Sequence, residues 1–427
     1  MTNVIAVCGT WHLGTAVCAG LLNRGCTLAL FDEDSQLLNA ALNGRAPTGE
    51  PGVSAALAAG ADQMHSTTTL ENWAGHKLCV LAYDTQPDEA GLDVRLEQAV
   101  HKFGTHSPPD AVLIVMSQLR AGTHERWSAT LPERRTIVYV PENLRLGSAL
   151  VDFTNPTRLI VGATEEQPAL AAVNRLFPDQ QPTLVLPIEA ELIKHATNAY
   201  LALCITFANE LGALAAHLGA NPRVVTTGLK ADPRVSPNAP LRPGEAFSGA
   251  TLRRDLLALT SLGQRAGRSE LFAAVLNLNE RHAFWSLRAT AEAVGGLDGK
   301  RIAVMGLTYK PGVATLRDSL PLRIVQRLTE SGAHAVVFDP AADQLSADLC
   351  VERVDTATEA VTDADAVLVL AALTEVINLD WTAQRPAQAV IIDGCSGLDP
   401  EKIHEAGWQI RTIASPEGGT FSEIDGR

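Results

Sequence analysis

The feature that most limits what this chain can fold into occurs twice. Near the N-terminus, Val4-Ile5-Ala6-Val7-Cys8 is a short unbroken apolar run that stops at Gly9. Helical apolar spacing follows from Thr15 to Leu22, and a second run, Thr27-Leu28-Ala29-Leu30-Phe31, ends in Asp32. Near residue 298 the order restarts. Lys300-Arg301-Ile302-Ala303-Val304-Met305 stops at Gly306, and His334-Ala335-Val336-Val337-Phe338 ends in Asp339. Continuous apolar runs of this length suit strands buried on both faces of a parallel sheet. Residues 78–83, 111–116, 137–142, 159–162, 366–370 and 389–394 read the same way. Strands alternating with helical stretches give an α/β fold with two doubly wound parallel sheets.

Between the two halves the period changes. From Leu192 the apolar residues recur at three- and four-residue steps through Ala213, which predicts a long helix. Lys194 and Asn198 then lie one turn apart on one face. A lysine and an amide are costly to bury there unless they meet polar partners. Asn221-Pro222 breaks the helical pattern, and residues 256–292 read as two more helices. Pro178, Pro182 and Pro187 read as a linker out of the first half. The expected domains are residues 1–185, a helical segment 186–296, and residues 297–427.

Composition narrows the class. With 427 residues, 46% of them hydrophobic, the chain has material for several cores. A net charge of −14 argues against a general partner role with nucleic acid or an anionic membrane. No long uncharged apolar run appears and the N-terminus reads as a strand, so the expectation is a soluble, cytoplasmic protein. The seven cysteines show no Cys-x-x-Cys pair and no spacing suited to a metal.

The first Gly turn reads as a damaged dinucleotide fingerprint. Strand, turn, helix, strand and acid follow in the order that seats a pyrophosphate on a helix N-terminus and a ribose on the acid. Here Gly9, Trp11, His12, Leu13, Gly14 and Asp32 are the candidate cofactor residues, and Asp32 favours NAD over NADP. Trp11 stands where a second glycine would let the phosphates approach the backbone.

The central motifs carry a resemblance. Ala-Glu-Leu-Ile-Lys…Asn-Ala-Tyr (residues 190–200), Asp232-Pro233-Arg234-Val235 and the turn from Phe247 through Gly249 to Asp255 resemble the UDP-glucose/GDP-mannose dehydrogenase family. So do Pro141-Glu142, Gly306-Leu307-Thr308-Tyr309-Lys310-Pro311 and Leu316-Arg317-Asp318-Ser319. The family's central turn reads Gly-Gly-Ser-Cys-x-Pro-Lys-Asp, with the Cys as nucleophile; this chain has Thr251 there, with Arg253 and Arg254 after it. The resemblance implies a catalytic set of Lys194, Asn198, Asp255 and Glu142, with Thr251 at the nucleophile position. It implies NAD contacts at Thr85, Gln118 and Arg317, Gln118 standing where the family has a hydroxyl. Sugar-nucleotide contacts are implied at Glu142, Leu144, Arg145, Lys194, Asn198, Arg234, Phe247, Gly249 and Lys310. It also implies a nucleotide-sugar as partner and a homodimer formed through the long helix.

The missing thiol leaves the chemistry open. Oxidising a primary alcohol to an acid takes two hydride transfers, and a thiolate captures the intermediate aldehyde well because it is accessible near neutral pH. A threonine hydroxyl does not. The first hydride transfer needs only bound nicotinamide, a base and donors for the developing oxyanion. Three readings follow. A single two-electron oxidation leads; a full four-electron oxidation through aldehyde hydration is an alternative; so is a catalytically silent nucleotide binder.

Overall fold

The computed structural model describes residues 4–85, 94–132, 135–268, 270–308, 316, 319–342, 349–384 and 390–413. The chain forms two compact units, Met1–Ala196 and Thr197–Arg427. The expected sites Lys310 and Arg317 lie outside the described residues.

The first unit is built on eight strands: β1 (Val4–Cys8), β2 (Thr27–Phe31), β3 (Met64–Ser66), β4 (Leu78–Leu81), β5 (Val112–Val115), β6 (Thr136–Tyr139), β7 (Ile160–Gly162) and β8 (Thr183–Val185). Their spatial order is β3-β2-β1-β4-β5-β6-β7-β8, parallel except where β7 meets β6. The order reverses at β1, whose C-terminal end therefore opens a crevice between β1 and β4. Alternation along each strand explains why the runs are apolar throughout. Ile5, Val7, Val80 and Ile114 pack into one core, while Ala6, Cys8, Cys79 and Leu113 pack into another on the opposite face. Each fully buried aliphatic side chain contributes roughly 1.5–3 kcal/mol.

The second unit repeats the design with six parallel strands: β9 (Arg301–Met305), β10 (His334–Phe338), β11 (Glu352–Arg353), β12 (Ala366–Val369), β13 (Val390–Asp393) and β14 (Gln409–Thr412). Their order is β11-β10-β9-β12-β13-β14, and again the β9 side chains alternate between two cores, Ile302 and Val304 in one, Ala303 and Met305 in the other.

Two expectations are corrected. The proline patch read as a linker carries β8, which pairs with β7; residues 183–185 contain no proline, so their ladder donors remain available. Residues 250–294 form three helices rather than two: Ala250–Ala266, Glu270–His282 and Trp285–Val294. Gly267, at φ +67°, ends the first of these as a left-handed cap.

The long helix spans Pro187–His217. Length and composition alone would let it cross a membrane, yet 56% of its most apolar window is buried in the protein, as in a core helix of a globular fold. Asn221 and Pro222 start the next helix, with Asn221 Oδ1 accepting from Arg223 N at 2.9 Å.

Candidate active site

The turn after β1 is shaped by two glycines. Gly9 has φ +102°, and a Cβ on it would stand 2.6 Å from the Ala82 carbonyl oxygen. A Cβ on Gly14 would collide with the Gly9 carbonyl, so the helix His12–Leu22 packs against its own turn only because both residues lack side chains. These are the backbone conditions a dinucleotide turn needs.

Asp32 ends β2 and is turned toward this turn. Its Oδ2 accepts from Thr10 N at 2.6 Å and Thr10 Oγ1 at 2.8 Å, and its Oδ1 accepts from Asp34 N at 3.0 Å. Trp11 is half-buried at the N-cap of the helix. His12 follows, with Nε2 3.0 Å from Glu50 Oε1 and Nδ1 3.9 Å from Asp84 Oδ1. Leu13 N donates to Asp84 Oδ2 at 2.9 Å. Glu50 also accepts from Gly147 N at 2.6 Å and Ala149 N at 3.2 Å, so it ties this turn to the start of the helix Ala149–Thr154. Thr85 Oγ1 lies 3.5 Å from the Gln118 carbonyl oxygen, at the ends of β4 and β5.

The loop carrying Gln118 is anchored from the long helix. Glu191, fully buried, accepts from Gly122 N at 2.6 Å and His124 N at 2.8 Å. It thereby gives an acceptor to amides that begin the helix Thr123–Ser128 and have no partner inside it. Burial raises the Glu191 carboxyl above its ordinary range, opposed by those backbone donors.

One turn further, Lys194 is 5% exposed. Its Nζ donates to the Glu142 carbonyl and lies 3.1 Å from Glu142 Oε1, which answers the cost of burying the ammonium. Glu142 Oε2 accepts from Leu144 N at 2.7 Å, fixing the loop after β6. Arg145 is engaged at once by Asp152 through Nε–Oδ2 at 3.0 Å and Nη2–Oδ1 at 2.6 Å.

In the second unit, Asn198 Nδ2 donates to Asp255 Oδ2; the carboxylate is fully buried and the amide nearly so. Asp255 sits on the second turn of the helix Ala250–Ala266, whose N-cap Gly249 has φ +79°. Phe247 is held at both ends of its peptide: its N–H donates to Asn279 Oδ1 at 2.9 Å and its carbonyl accepts from Asn279 Nδ2 at 3.0 Å. Thr251 and Arg253 are exposed on the first turn. Arg234 forms a bidentate pair with Asp232 two residues back, at 2.9 and 2.6 Å, so its guanidinium is satisfied within its own turn. The expectation that Arg234 contacts a sugar-nucleotide did not foresee that partner.

All seven cysteines are free. Burial pushes the thiols of Cys8, Cys18, Cys79 and Cys395 up, Cys18 to about 12, and Asp393 adds to the effect at Cys395. A thiol held neutral is a poor nucleophile.

A Gly turn after the first strand of a doubly wound parallel sheet, clamped by an acid at the end of the second strand, places the first unit among dinucleotide-binding folds. The chain belongs to the UDP-glucose/GDP-mannose dehydrogenase family: residues 3–180 match its NAD binding domain, 188–281 its central domain and 303–400 its UDP binding domain. It is 27% identical to the UDP-glucose 6-dehydrogenase TuaD of Bacillus subtilis (strain 168), over 96% of this chain and 93% of that one. It is 26% identical to a UDP-glucose 6-dehydrogenase of Rhizobium meliloti (strain 1021), over 97% and 100%. Among solved structures it resembles a UDP-glucose dehydrogenase from Pyrobaculum islandicum, with TM-score 0.85, 27% identity and coverage of 97% and 98%. The chain is accordingly an NAD-dependent oxidoreductase of the nucleotide-sugar dehydrogenase family.

Proposed function

We propose that this protein oxidises an alcohol on a UDP-linked hexose by one two-electron step, releasing an aldehyde or ketone. The observation that carries this reading is the exposed Thr251 at the family's nucleophile position, beside retained, well-anchored polar pairs at Lys194 and Asn198. When bound, NAD supplies the hydride acceptor. The Lys194 ammonium, held by Glu142, offers positive charge to the oxygen as its proton leaves. Asn198, with its amide oriented by Asp255, is a neutral donor on the next turn of the same helix. The hydroxyl proton passes to solvent, so one alcohol and one NAD give one carbonyl, one NADH and one proton.

A NADH-forming assay with UDP-glucose and other UDP- and GDP-sugars, with product masses recorded, tests this. One NADH per product with a carbonyl mass is the expected result. Two NADH per product with an acid mass would replace this reading with four-electron oxidation, in which Thr251 lines the site and water adds to the aldehyde. No NADH from any sugar would favour the silent binder.

We also propose a homodimer through the long helix. Tyr200, Phe207 and Leu214 recur every seven residues and are 53%, 48% and 56% exposed, and Leu218 is 72% exposed. Large apolar groups aligned on one helix face are what a partner surface covers. Phe207→Asp and Leu214→Asp are expected to shift the protein toward monomer by light scattering. An unchanged mass in both variants would overturn the dimer face.

A further inference from the structure

In the first unit, one amide of the helix start that follows the Gly turn is already bonded by a side chain of the protein. Helix N-termini attract phosphate because their first amides have no partner inside the helix and carry the positive end of the helix dipole. In the helix His12–Leu22, one of those amides, Leu13 N, donates to Asp84 Oδ2 at 2.9 Å. Asp84 lies just past the end of β4, across the crevice where the strand order reverses. Its side chain is 23% exposed, so the carboxylate keeps contact with solvent. Glu50, 2% exposed at its side chain, faces His12 from the other direction. Two carboxylates therefore bracket the first turn of a helix that a pyrophosphate would approach.

We infer that Asp84 is a built-in competitor for the pyrophosphate of NAD, and that NAD binds only when this carboxylate leaves the Leu13 amide. The inference rests on the assignment of this unit as an NAD-binding domain. Glu50 has little room to yield, because the starts of two helices depend on it. Asp84 can yield, because its carboxylate is part-exposed and regains water on leaving. Apparent affinity falls by the fraction of molecules in which the seat is open. Like-charge repulsion between the docked carboxylate and an arriving diphosphate lowers it further. Asp84 thus sets how strongly this chain holds its cofactor, and does so without touching the reacting atoms.

The test measures binding and does not depend on turnover. NAD, ADP-ribose and adenosine are titrated by calorimetry into the full-length protein and into Asp84→Asn and Asp84→Ala, with melting curves of each protein alone. Asn keeps an oxygen for Leu13 N but removes the charge, and Ala removes both. The expected result is tighter binding of NAD and ADP-ribose by both variants, by about tenfold or more, with the apo melting temperature changed little in the Asn form. Adenosine, which has no pyrophosphate, should bind all three proteins alike. Unchanged or weaker NAD binding by both variants overturns the inference, as does an equal gain for adenosine. If folded variants take up no NAD at all, Asp84 is not what limits binding and the inference fails. Failure of the proposed sugar oxidation would appear in the NADH assay and leave these titrations unaffected.

Discussion

The two sheet-based halves of this molecule use the same local wiring for different named tasks. In the first, Gly9 has φ +102° and its N–H donates to Phe31 O at 2.9 Å; in the second, Gly306 has φ +99° and donates to Phe338 O at 2.9 Å. Asp32 accepts from the amide and hydroxyl of Thr10. Asp339 accepts from Leu307 N at 2.8 Å and from Thr308 N and Oγ1, both at 2.9 Å. The first half matches the family's NAD binding domain and the second its UDP binding domain. An acid after the second strand of such a unit is therefore first a clamp on the Gly turn. A ribose contact, proposed for Asp32 in the first half, would come on top of that structural task.

The strongest way to break this comparison is to remove the clamps. Asp339→Ala strands three donors that met one carboxylate oxygen and releases Ala341 N, which the other oxygen held at 2.9 Å. Leaving a buried donor unmet costs about 1–3 kcal/mol. Asp32→Ala strands fewer groups, so both variants should melt at lower temperature without ligand, Asp339→Ala more so. If Asp32→Ala keeps the apo melting temperature and loses only NAD binding, the shared structural role is refuted and Asp32 is a dedicated cofactor ligand.

A smaller effect is expected at the paired glycines. An L-residue in the left-handed region costs roughly 1–2 kcal/mol before any contact is considered. At Gly9 the new methyl meets the Ala82 backbone, which cannot swing aside; at Gly306 it meets the Ala371 side chain and, at 2.9 Å, its amide nitrogen. Gly9→Ala and Gly306→Ala should both be destabilised in denaturant titrations. A neutral result at either would show that its turn relaxes and that the two halves differ in rigidity.

These matched turns also show what was legible in the sequence. The inner strands β1, β2, β4, β5, β9, β10, β12 and β13 were readable because burial on both faces makes them continuously apolar. Edge strands were not. In β11, Glu352 and Arg353 are both exposed, and in β3, His65 and Ser66 are exposed; nothing in composition separates them from loops. Among the proposed site residues, the polar pairing of the lysine and the amide was legible because polar groups on an apolar helix need partners. Glu191 lies on the same helix and gave the same signal, though its partner at Gly122 could not be read. Asp84 gave none. Its partner Leu13 is 71 residues away, and a lone aspartate after a strand is ordinary loop composition.

The smallest effect concerns a buried acid near the second sheet, Glu245, whose carboxyl has no backbone donors among the described residues like those that Gly122 and His124 offer Glu191 in the first half. Glu245 is part-exposed as a residue, but both its carboxylate oxygens are shielded from solvent beside Gly394, at the end of β13. Burial pushes its carboxyl up from 4.5 to about 8; Ser286 opposes the shift and the nearby Asp393 adds to it. Its neighbour His282 is held neutral, lowered to about 4 by burial, with Nε2 2.6 Å from Gly244 O. The sign follows from proton linkage. Below about pH 4.5 the carboxyl is neutral in both folded and unfolded chains and has no effect. As pH rises toward 8, the unfolded chain ionises while the folded chain does not, so stability drains across that window. Glu245→Gln is neutral at every pH and similar in shape. Its melting temperature should match the parent at the acid end and exceed it increasingly toward pH 8. A constant difference across the range would mean that folding does not shift the Glu245 carboxyl, and a loss that grows with pH would mean that Glu245 is ionised in the folded protein and held by a partner; either overturns the neutral buried acid.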